Sequence, residues 1–330
     1  MTFGSLSTDE FKKIIEPYAL EGDIVVAVSG GADSLALTLL MHEWAVSRNV
    51  NVIGITIDHQ LRPESAKEVI AVNEWLQSRG IEHHTLVWQH SGVTSALQQK
   101  ARNARYELLS GWCSLKQVTT LLTAHHLQDQ WETFLMRLSK GSGLTGLCGI
   151  KSESKLSNLR LIRPLLQVRA ERLEKTLERF NQPFIKDPSN HKLEYARVRM
   201  RNLLPVLSNE GLTPETIEQV RKRFQMTEDY LVQQLQIAVT ECIKDEKRIN
   251  LTVFKTLHKE IAYRLLRKVL LEIGKHPYAL PYESLEHLYE KLIDQSFVGA
   301  TAGGCYLKKS KGGWIDIKCE KKRSNQGAYA

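Results

Sequence analysis

The sequence predicts an α/β protein in which a doubly wound, five-stranded parallel sheet is followed by a smaller, mainly helical C-terminal domain with a short β region. Three observations predict it. Apolar, β-branched runs such as Val25-Val26-Ala27-Val28 and Val52-Ile53-Gly54-Ile55 lack polar alternation, which marks strands buried on both faces. These runs alternate with helical patterns, the order that yields parallel crossovers. Past residue 210 the long apolar strand runs stop and helical periodicity takes over. The boundary is expected in the Ser-, Asn-, Gly- and Pro-containing stretch Ser208 to Pro214, giving domains 1–210 and 211–330.

The elements follow in order. Phe11 to Ile15 reads as a short amphipathic helix, and the run from Ile24 to Val28 as the first strand. The strand breaks into Ser29-Gly30-Gly31-Ala32-Asp33-Ser34, and Leu35 to Leu40 continues as a helix. A strand, a glycine turn and a helix N-terminus form an anion site, because free N–H groups and the helix dipole face the ligand. Ser29, Gly30, Gly31 and Ser34 are expected to cradle a phosphate, and Asp33 to hold a metal bridging phosphate oxygens. The same residues would also serve as an ordinary βα turn capped by Ser34.

Val52 to Ile57 is the second strand, ending in Asp58-His59, where Asp58 either faces a ribose or base or caps the next turn. A helix over 65–79 and a strand over 83–88 come next. The helix over 94–115 carries Arg102, Arg105 and Tyr106, and one of its arginines can reach a phosphate. Val118 to Ala124 is the fourth strand. It leads into His125-His126-Leu127-Gln128-Asp129-Gln130-Trp131-Glu132, where spacings of four and three are expected to set His125, Asp129 and Glu132 on one helix face. Three titratable groups at the C-terminal end of a strand suit a site better than a core, and carboxylates suit Mg²⁺ held with ATP oxygens. A capped surface helix is the alternative.

A glycine-rich stretch, Lys140 to Leu147, is expected to fold over a ligand, and Leu159 to Leu166 reads as the fifth strand. After a helix over 168–180, Asp187-Pro188-Ser189-Asn190 is a turn by composition. Arg197, Arg199 and Arg201 then fan out around a helix that can touch several anionic groups, or lie solvated. Helical patterns over 216–243, 257–273 and 282–294 lead to a β-hairpin region over 299–318. Seven Lys or Arg residues against two acidic ones over 305–323 suit contact with a phosphate backbone.

The 330-residue chain contains no run of about 18 apolar residues and no basic-then-apolar leader at its start, so membrane contact is not expected and a cytoplasmic location is. The five cysteines are scattered without a C-x-x-C pair, which argues against a disulfide framework or a zinc knuckle. The net charge of +8 leans towards polyanionic partners.

Ser-Gly-Gly-Ala-Asp-Ser at 29–34 resembles the PP-loop of the ATP pyrophosphatases. Together with Asp-His-Gln-Leu-Arg-Pro-Glu-Ser at 58–65, Ala-Arg-Asn-Ala-Arg-Tyr at 101–106 and Ala-His-His-Leu-Gln-Asp-Gln-Trp-Glu-Thr at 124–133, it resembles the tRNA(Ile)-lysidine synthetases. Gly-Ser-Gly-Leu-Thr-Gly-Leu at 141–147, Arg-Pro-Leu-Leu at 163–166 and Asp-Pro-Ser-Asn at 187–190 extend the match. The resemblance implies ATP-dependent attachment of free L-lysine to C2 of the wobble cytidine, C34, of the isoleucine tRNA with a CAU anticodon, through an adenylated cytidine, with Mg²⁺. It implies that Ser29, Gly30, Gly31, Ala32 and Ser34 hold pyrophosphate with Asp33 near Mg²⁺, and that Arg105 steadies the α-phosphoryl charge. Asp58 and His59 would lie near adenosine or cytosine, Asp129 and Glu132 would bind the lysine amines, and His125 or a carboxylate would take up a proton. Arg197, Arg199 and Arg201 would meet the tRNA or the lysine carboxylate.

The chain departs from the family pattern at Trp131, where a small residue is usual and a reshaped pocket wall is expected, and at Val198, where asparagine is common. Ala302-Gly303-Gly304 matches a C-terminal signature loosely, and the further domain of longer members is expected to be missing. A tRNA-thiolating enzyme of the same fold would want a cysteine pair, whereas Cys113 and Cys148 stand apart in the sequence. An amidotransferase-type synthetase would want a glutaminase segment, and an inert RNA-binding module would not need Asp33, Asp129 and Glu132. A homodimer is among the assemblies left open.

Overall fold

The computed structural model describes residues 3–48, 50–61, 63–90, 97–186, 193–274 and 280–320. The expected turn at Asp187 to Asn190, Arg62, the first residues of the 94–115 helix and the basic residues 321–323 lie outside the described residues. The chain divides into two compact units, Met1–Phe224 and Gln225–Ala330. No helix among the described residues is long and apolar enough to cross a membrane.

The first unit runs α1 (Thr8–Ile15), a 3-10 turn (Glu16–Tyr18), β1 (Ile24–Ala27), α2 (Ala32–Val46), β2 (Val52–Asp58), α3 (Ser65–Gln77), β3 (Glu82–Val87), α4 (Leu97–Leu115) and β4 (Thr120–Leu122). It continues with α5 (Leu127–Leu138), α6 (Leu144–Leu147), β5 (Glu153–Leu156), β6 (Leu159–Ile162), α7 (Ala170–Arg179), α8 (Ala196–Asn209) and the start of α9 (Pro214–Cys242). The strands order as β3-β2-β1-β4-β6-β5. β1 pairs in parallel with β2 (Ile24 opposite Val52) and with β4 (Ile24 opposite Thr120).

Side-chain alternation along β1 explains why its sequence shows none in polarity. Ile24, Val26 and Val28 enter one apolar cluster with Leu35, Leu39, Leu173 and Leu177, while Val25 enters a second with Leu109 and Cys113. Both faces of the sheet are covered, so both sets of residues are apolar. Helix α2, with Leu35, Leu37, Leu39, Leu40 and Met41 all buried, is apolar all round for the same reason.

The sheet has six strands where the sequence suggests five. The sixth, β5, is a polar Glu-Ser-Lys-Leu edge strand, antiparallel to β6 and joined to it by a turn with Ser157 at φ 53°. An exposed edge strand needs no apolar run, so nothing in its composition announces it. The glycine-rich stretch is tied down and contains α6. Arg137 Nη1 donates to the carbonyls of Gly146 (2.6 Å) and Gly149 (2.9 Å), and the Gln130 amide exchanges two 2.7 Å hydrogen bonds with the Ile150 backbone.

The second unit holds the rest of α9, then β7 (Ile243–Lys244), β8 (Arg248–Asn250), α10 (Leu251–Phe254), α11 (Lys259–Gly274), α12 (Tyr282–Ile293), β9 (Gly299–Ala302), β10 (Cys305–Ser310) and β11 (Trp314–Cys319). The expected hairpin region is part of a five-stranded antiparallel sheet, ordered β7-β8-β11-β10-β9. β7 and β8 are two and three residues long, too short to show a period. Cys305, Leu307, Ile315 and Ile317 point inward against Leu266, Val269 and Leu288 of the helices.

Candidate active site

The strand order reverses beside β1, since β2 and β3 extend to one side and β4 returns to the other. Loops leaving neighbouring strands diverge there, which opens a crevice at their C-terminal ends. A pocket of about 430 Å³ occupies it, lined by Ser29, Asp33 and Ser34 after β1, Asp58 and His59 after β2, and Thr123, His125 and Asp129 after β4. Arg102 and Arg105 of α4 and Arg197 of α8 complete its walls.

The glycine turn is built by its own side chains. Ser34 Oγ accepts from the Ser29 N–H (3.1 Å) and donates to the Gly31 carbonyl (3.0 Å). Gly31 is the N-cap of α2 and supplies no side-chain cap, which leaves the first N–H groups of the helix for an anion. Gly30 sits at φ +81°, and a Cβ there would stand 2.6 Å from Ile185 Cδ1 and 2.9 Å from Val72 Cγ2. Gly30→Ala is therefore expected to destabilise the fold by about 1–3 kcal/mol and to weaken nucleotide binding. Thermal melting and ATP titration of the variant check this, and an unchanged midpoint with unchanged affinity would contradict it.

Between two pocket-lining carboxylates, Asp33 and Asp129, lies the buried His126, which sequence reasoning did not single out. Its Nε2 lies 3.4 Å from Asp33 Oδ2 and 3.6 Å from Asp129 Oδ2. Burial works against the imidazolium, but the Asp33 hydrogen bond and the carboxylates of Asp129, Asp33 and Glu132 push its pKa up to about 9. Helix α5 begins only at Leu127, so His125 precedes it and only Asp129 and Glu132 share its face. His125 is instead fixed by Thr123 Oγ1, 3.0 Å from its Nδ1. The signal for His126 was its spacing from Asp129. A carboxylate three residues into a helix caps the N-cap backbone, and Asp129 Oδ2 accepts from the His126 N–H at 3.0 Å.

Burial opposes the Asp129 charge, yet His126 and His125 hold its carboxyl below the ordinary range. Arg197 Nη1 approaches Asp129 Oδ1 at 3.4 Å. Glu132 is 1% exposed and accepts from Arg201 Nε at 2.8 Å. Its Oε2 is buried without a hydrogen-bond partner among the described residues, and burial raises its pKa. Arg199 turns away, donating to the carbonyls of Leu193 and Glu194. Asp58 Oδ1 accepts from the Gln60 N–H at 2.9 Å, so it caps its turn while lining the pocket. His59 packs edge-on to Trp88, and burial followed by Arg105 lowers its pKa.

The structure thus brings Ser29, Ser34, Asp33, Asp58, His59, Arg105, His125, Asp129 and Arg197 to one pocket, with Gly30, Gly31 and Ala32 in the turn at its edge. Glu132 and Arg201 pair behind Asp129. Trp131 does not form a pocket wall: it is 1% exposed, packs with Phe134 and Ile217, and donates from Nε1 to the Leu212 carbonyl (3.0 Å).

The three histidines with the largest shifts, His83, His125 and His126, shape the pH dependence of stability. Burial pushes His83 and His125 down to about 4 from an ordinary 6.5, in His125 against the opposing pull of the Asp129 carboxylate. Their contribution is full above pH 6.5 and is lost as pH falls towards 4. His126, raised to about 9, contributes fully below pH 6.5 and loses that contribution as pH rises through 9. The melting temperature should peak near neutrality, and His126→Gln should flatten the alkaline limb. A pH series of thermal melts on both proteins checks it.

Residues 5–207 match the family described as ATP_bind_3, the PP-loop domain. The tRNA(Ile)-lysidine synthase of Wolbachia pipientis wMel is 34% identical over 307 residues, covering 91% of this chain and 71% of that protein. The tRNA(Ile)-lysidine synthase of Methylobacterium nodulans is 33% identical over 332 residues, 96% of this chain and 97% of that one. Among solved structures, the U34-tRNA thiolase NcsA of Methanococcus maripaludis, with its 4Fe-4S cluster, superposes with a TM-score of 0.56 at 19% identity. That match covers 66% of this chain and 76% of the thiolase, and at this identity the likeness is one of fold. With the PP-loop model spanning most of its first unit and lysidine synthases aligned along nearly its full length, the chain belongs to the tRNA(Ile)-lysidine synthase family of PP-loop proteins.

Proposed function

We propose that this chain ligates free L-lysine to C2 of the wobble cytidine, C34, of the isoleucine tRNA with a CAU anticodon, converting ATP to AMP and pyrophosphate. The observation that carries the reading is the pocket itself, in which an open helix N-terminus lies beside Asp33 and Asp129, the two carboxylates that His126 joins. Two steps follow. The C2 oxygen of cytosine attacks the α-phosphorus, forming an O–P bond as the bond to pyrophosphate breaks. The lysine ε-amine then bonds to C2, the C2–O bond breaks, AMP leaves, and the amine loses a proton.

The turn of Ser29, Gly30, Gly31, Ala32 and Ser34 suits pyrophosphate, since backbone N–H groups need no rearrangement to receive it. Arg105 would balance charge at the α-phosphoryl group, while Asp58 and His59 border the adenosine or cytosine. Among the described residues no three His, Cys, Asp or Glu side chains gather into a metal group, but a hard cation shared with phosphate oxygens needs fewer. The Asp33 side chain, 39% exposed into the pocket, offers a hard oxygen and fits Mg²⁺. When bound, Mg²⁺ would neutralise phosphate charge.

Asp129 and Glu132 are the carboxylates for the lysine amines, Arg197 and Arg201 are the cations for the lysine carboxylate or tRNA, and Arg199, turned to the Leu193 and Glu194 carbonyls, is left for tRNA. A lysine ammonium has a pKa of ~10.4, so presenting the amine at pH 7 costs about 4.6 kcal/mol. His125, kept neutral by burial, and Glu132, whose pKa burial raises, are the groups able to accept the proton. The second unit would contact tRNA phosphates through its basic end. The same reading puts the enzyme in the cytoplasm, as a monomer or homodimer.

The test is mass analysis of the wobble nucleoside after incubating unmodified tRNA with the full chain, ATP, Mg²⁺ and lysine. The expected product is cytidine plus lysine less water. Unmodified cytidine, with no tRNA-dependent pyrophosphate formed, would overturn the reading.

A further inference from the structure

Arg102, Arg105 and Tyr106 occupy positions i, i+3 and i+4 of α4, and the two cations converge on one ring. Arg102 Cζ lies 5.2 Å and Arg105 Cζ 5.1 Å from the Tyr106 ring centroid. Both distances are within the range over which an aromatic quadrupole attracts a cation. The ring is anchored on the sheet, where Tyr106 packs against the apolar cluster that includes Val25, Ile55 and Leu109. Arg102 and Arg105 both line the pocket.

Like charges held together need a counter-charge, and the carboxylates nearest the phosphate turn are engaged elsewhere, as is Asp58 of the pocket wall, which accepts from the Gln60 N–H. Asp129 meets Arg197, Glu132 meets Arg201, and Asp33 meets His126. Among the described residues no carboxylate forms an ion pair with Arg102 or Arg105, and Arg105 Nε is buried without a hydrogen-bond partner. Two forked donors, fixed by a ring and lacking an internal anion, make a seat for phosphoryl oxygens.

We propose that Tyr106 is a positioning residue that holds Arg102 and Arg105 as a two-pronged seat for the α-phosphoryl group of ATP during attack by the cytidine oxygen. The assignment rests on the adenylation reading above. In that step the O–P bond forms as the bond to pyrophosphate breaks, and negative charge builds on the oxygens of the transferred group. Arg105 alone can approach from one direction, and Arg102 supplies the second. Tyr106 touches no reacting atom: it prevents two repelling side chains from separating.

The experiment measures tRNA-dependent pyrophosphate formation by the full chain, with kcat and the KM values for ATP and for tRNA, in Tyr106→Leu, Tyr106→Phe and Arg102→Gln. Tyr106→Leu should lower kcat by about 10–100-fold with both KM values within about threefold, because the loss falls on the transition state. Tyr106→Phe keeps the ring and should recover most of that loss. Arg102→Gln, at an exposed position that does not threaten folding, should lower kcat by about tenfold or more with the same pattern.

An unchanged kcat in Arg102→Gln, or equal damage in Tyr106→Phe and Tyr106→Leu, would overturn the proposal. A loss confined to the KM for tRNA would also overturn it, because the arginines would then seat a tRNA backbone phosphate. If Tyr106→Leu melts early, the other two variants decide. Failure of the adenylation reading is distinguishable, since the unaltered protein would then form no pyrophosphate with tRNA.

Discussion

Asp33→Asn should lower tRNA-dependent pyrophosphate formation by about a thousandfold or more while leaving the fold intact. The chemical reason is the loss of a hard, charged oxygen at the phosphate turn, where charge compensation is worth several kcal/mol and each 1.36 kcal/mol is about tenfold in rate. The structural reason is that little else depends on the carboxylate. Its side chain is 39% exposed, and the contact made by its Oδ2 is with His126 Nε2 at 3.4 Å. The Ser29–Ser34 hydrogen bonds that shape the turn do not involve it. Loss of one acid from the first turn of α2 costs only about 0.3–1 kcal/mol through the helix dipole. A second readout is independent of catalysis. With one anionic neighbour removed, the His126 pKa should fall from about 9 towards its ordinary value, as NMR titration of the imidazole would record. Pyrophosphate formation at the normal rate by a folded variant would remove Asp33 from the phosphate chemistry.

The parts of this fold that were legible in the sequence are those where one physical demand governs each residue. β1, β2 and β4 are largely apolar because both sheet faces are covered, β6 keeps Leu159, Leu161 and Ile162 buried, and the glycine turn is readable because Gly30 must hold a positive φ against Ile185 and Val72. β5 was not legible: an edge strand tied by the Arg160–Glu153 ion pair carries polar residues like any loop. β8 acquires its identity from β11, more than sixty residues later, with Ile249 opposite Ile315, and β7 acquires its own from β8. In the site, helical arithmetic presumed that the helix began directly after the strand, at His125. It begins at Leu127, which makes His126 the cap and brings its ring between Asp33 and Asp129. Trp131 is on the far side of the same helix, and only the position of α8 and α9 decides that its ring is core. Spacing told which residues share a helix, but where the helix started decided what they faced.

Glu132→Gln should separate the two half-reactions. Glutamine keeps the shape of a side chain that is 1% exposed, so no cavity opens, and Arg201, whose side chain is 44% exposed, can turn to water when its partner loses charge. Adenylation needs no lysine amine, and Glu132 lies behind Asp129 rather than among the residues lining the nucleotide pocket. Single-turnover pyrophosphate formation should therefore stay within about threefold of the unaltered enzyme. Lysine should suffer, because a desolvated carboxylate–ammonium pair contributes about 2–3 kcal/mol, or roughly 30–150-fold in affinity. The adenylated tRNA would then accumulate or hydrolyse slowly. Rapid-quench measurement of pyrophosphate, beside the lysine concentration dependence of nucleoside product, reads both halves in one preparation. Lost pyrophosphate formation with lysine dependence unchanged would assign Glu132 to the ATP half. Its buried Oε2, without a partner among the described residues, would then serve the Asp33–His126–Asp129 chain through its charge instead of receiving the incoming amine.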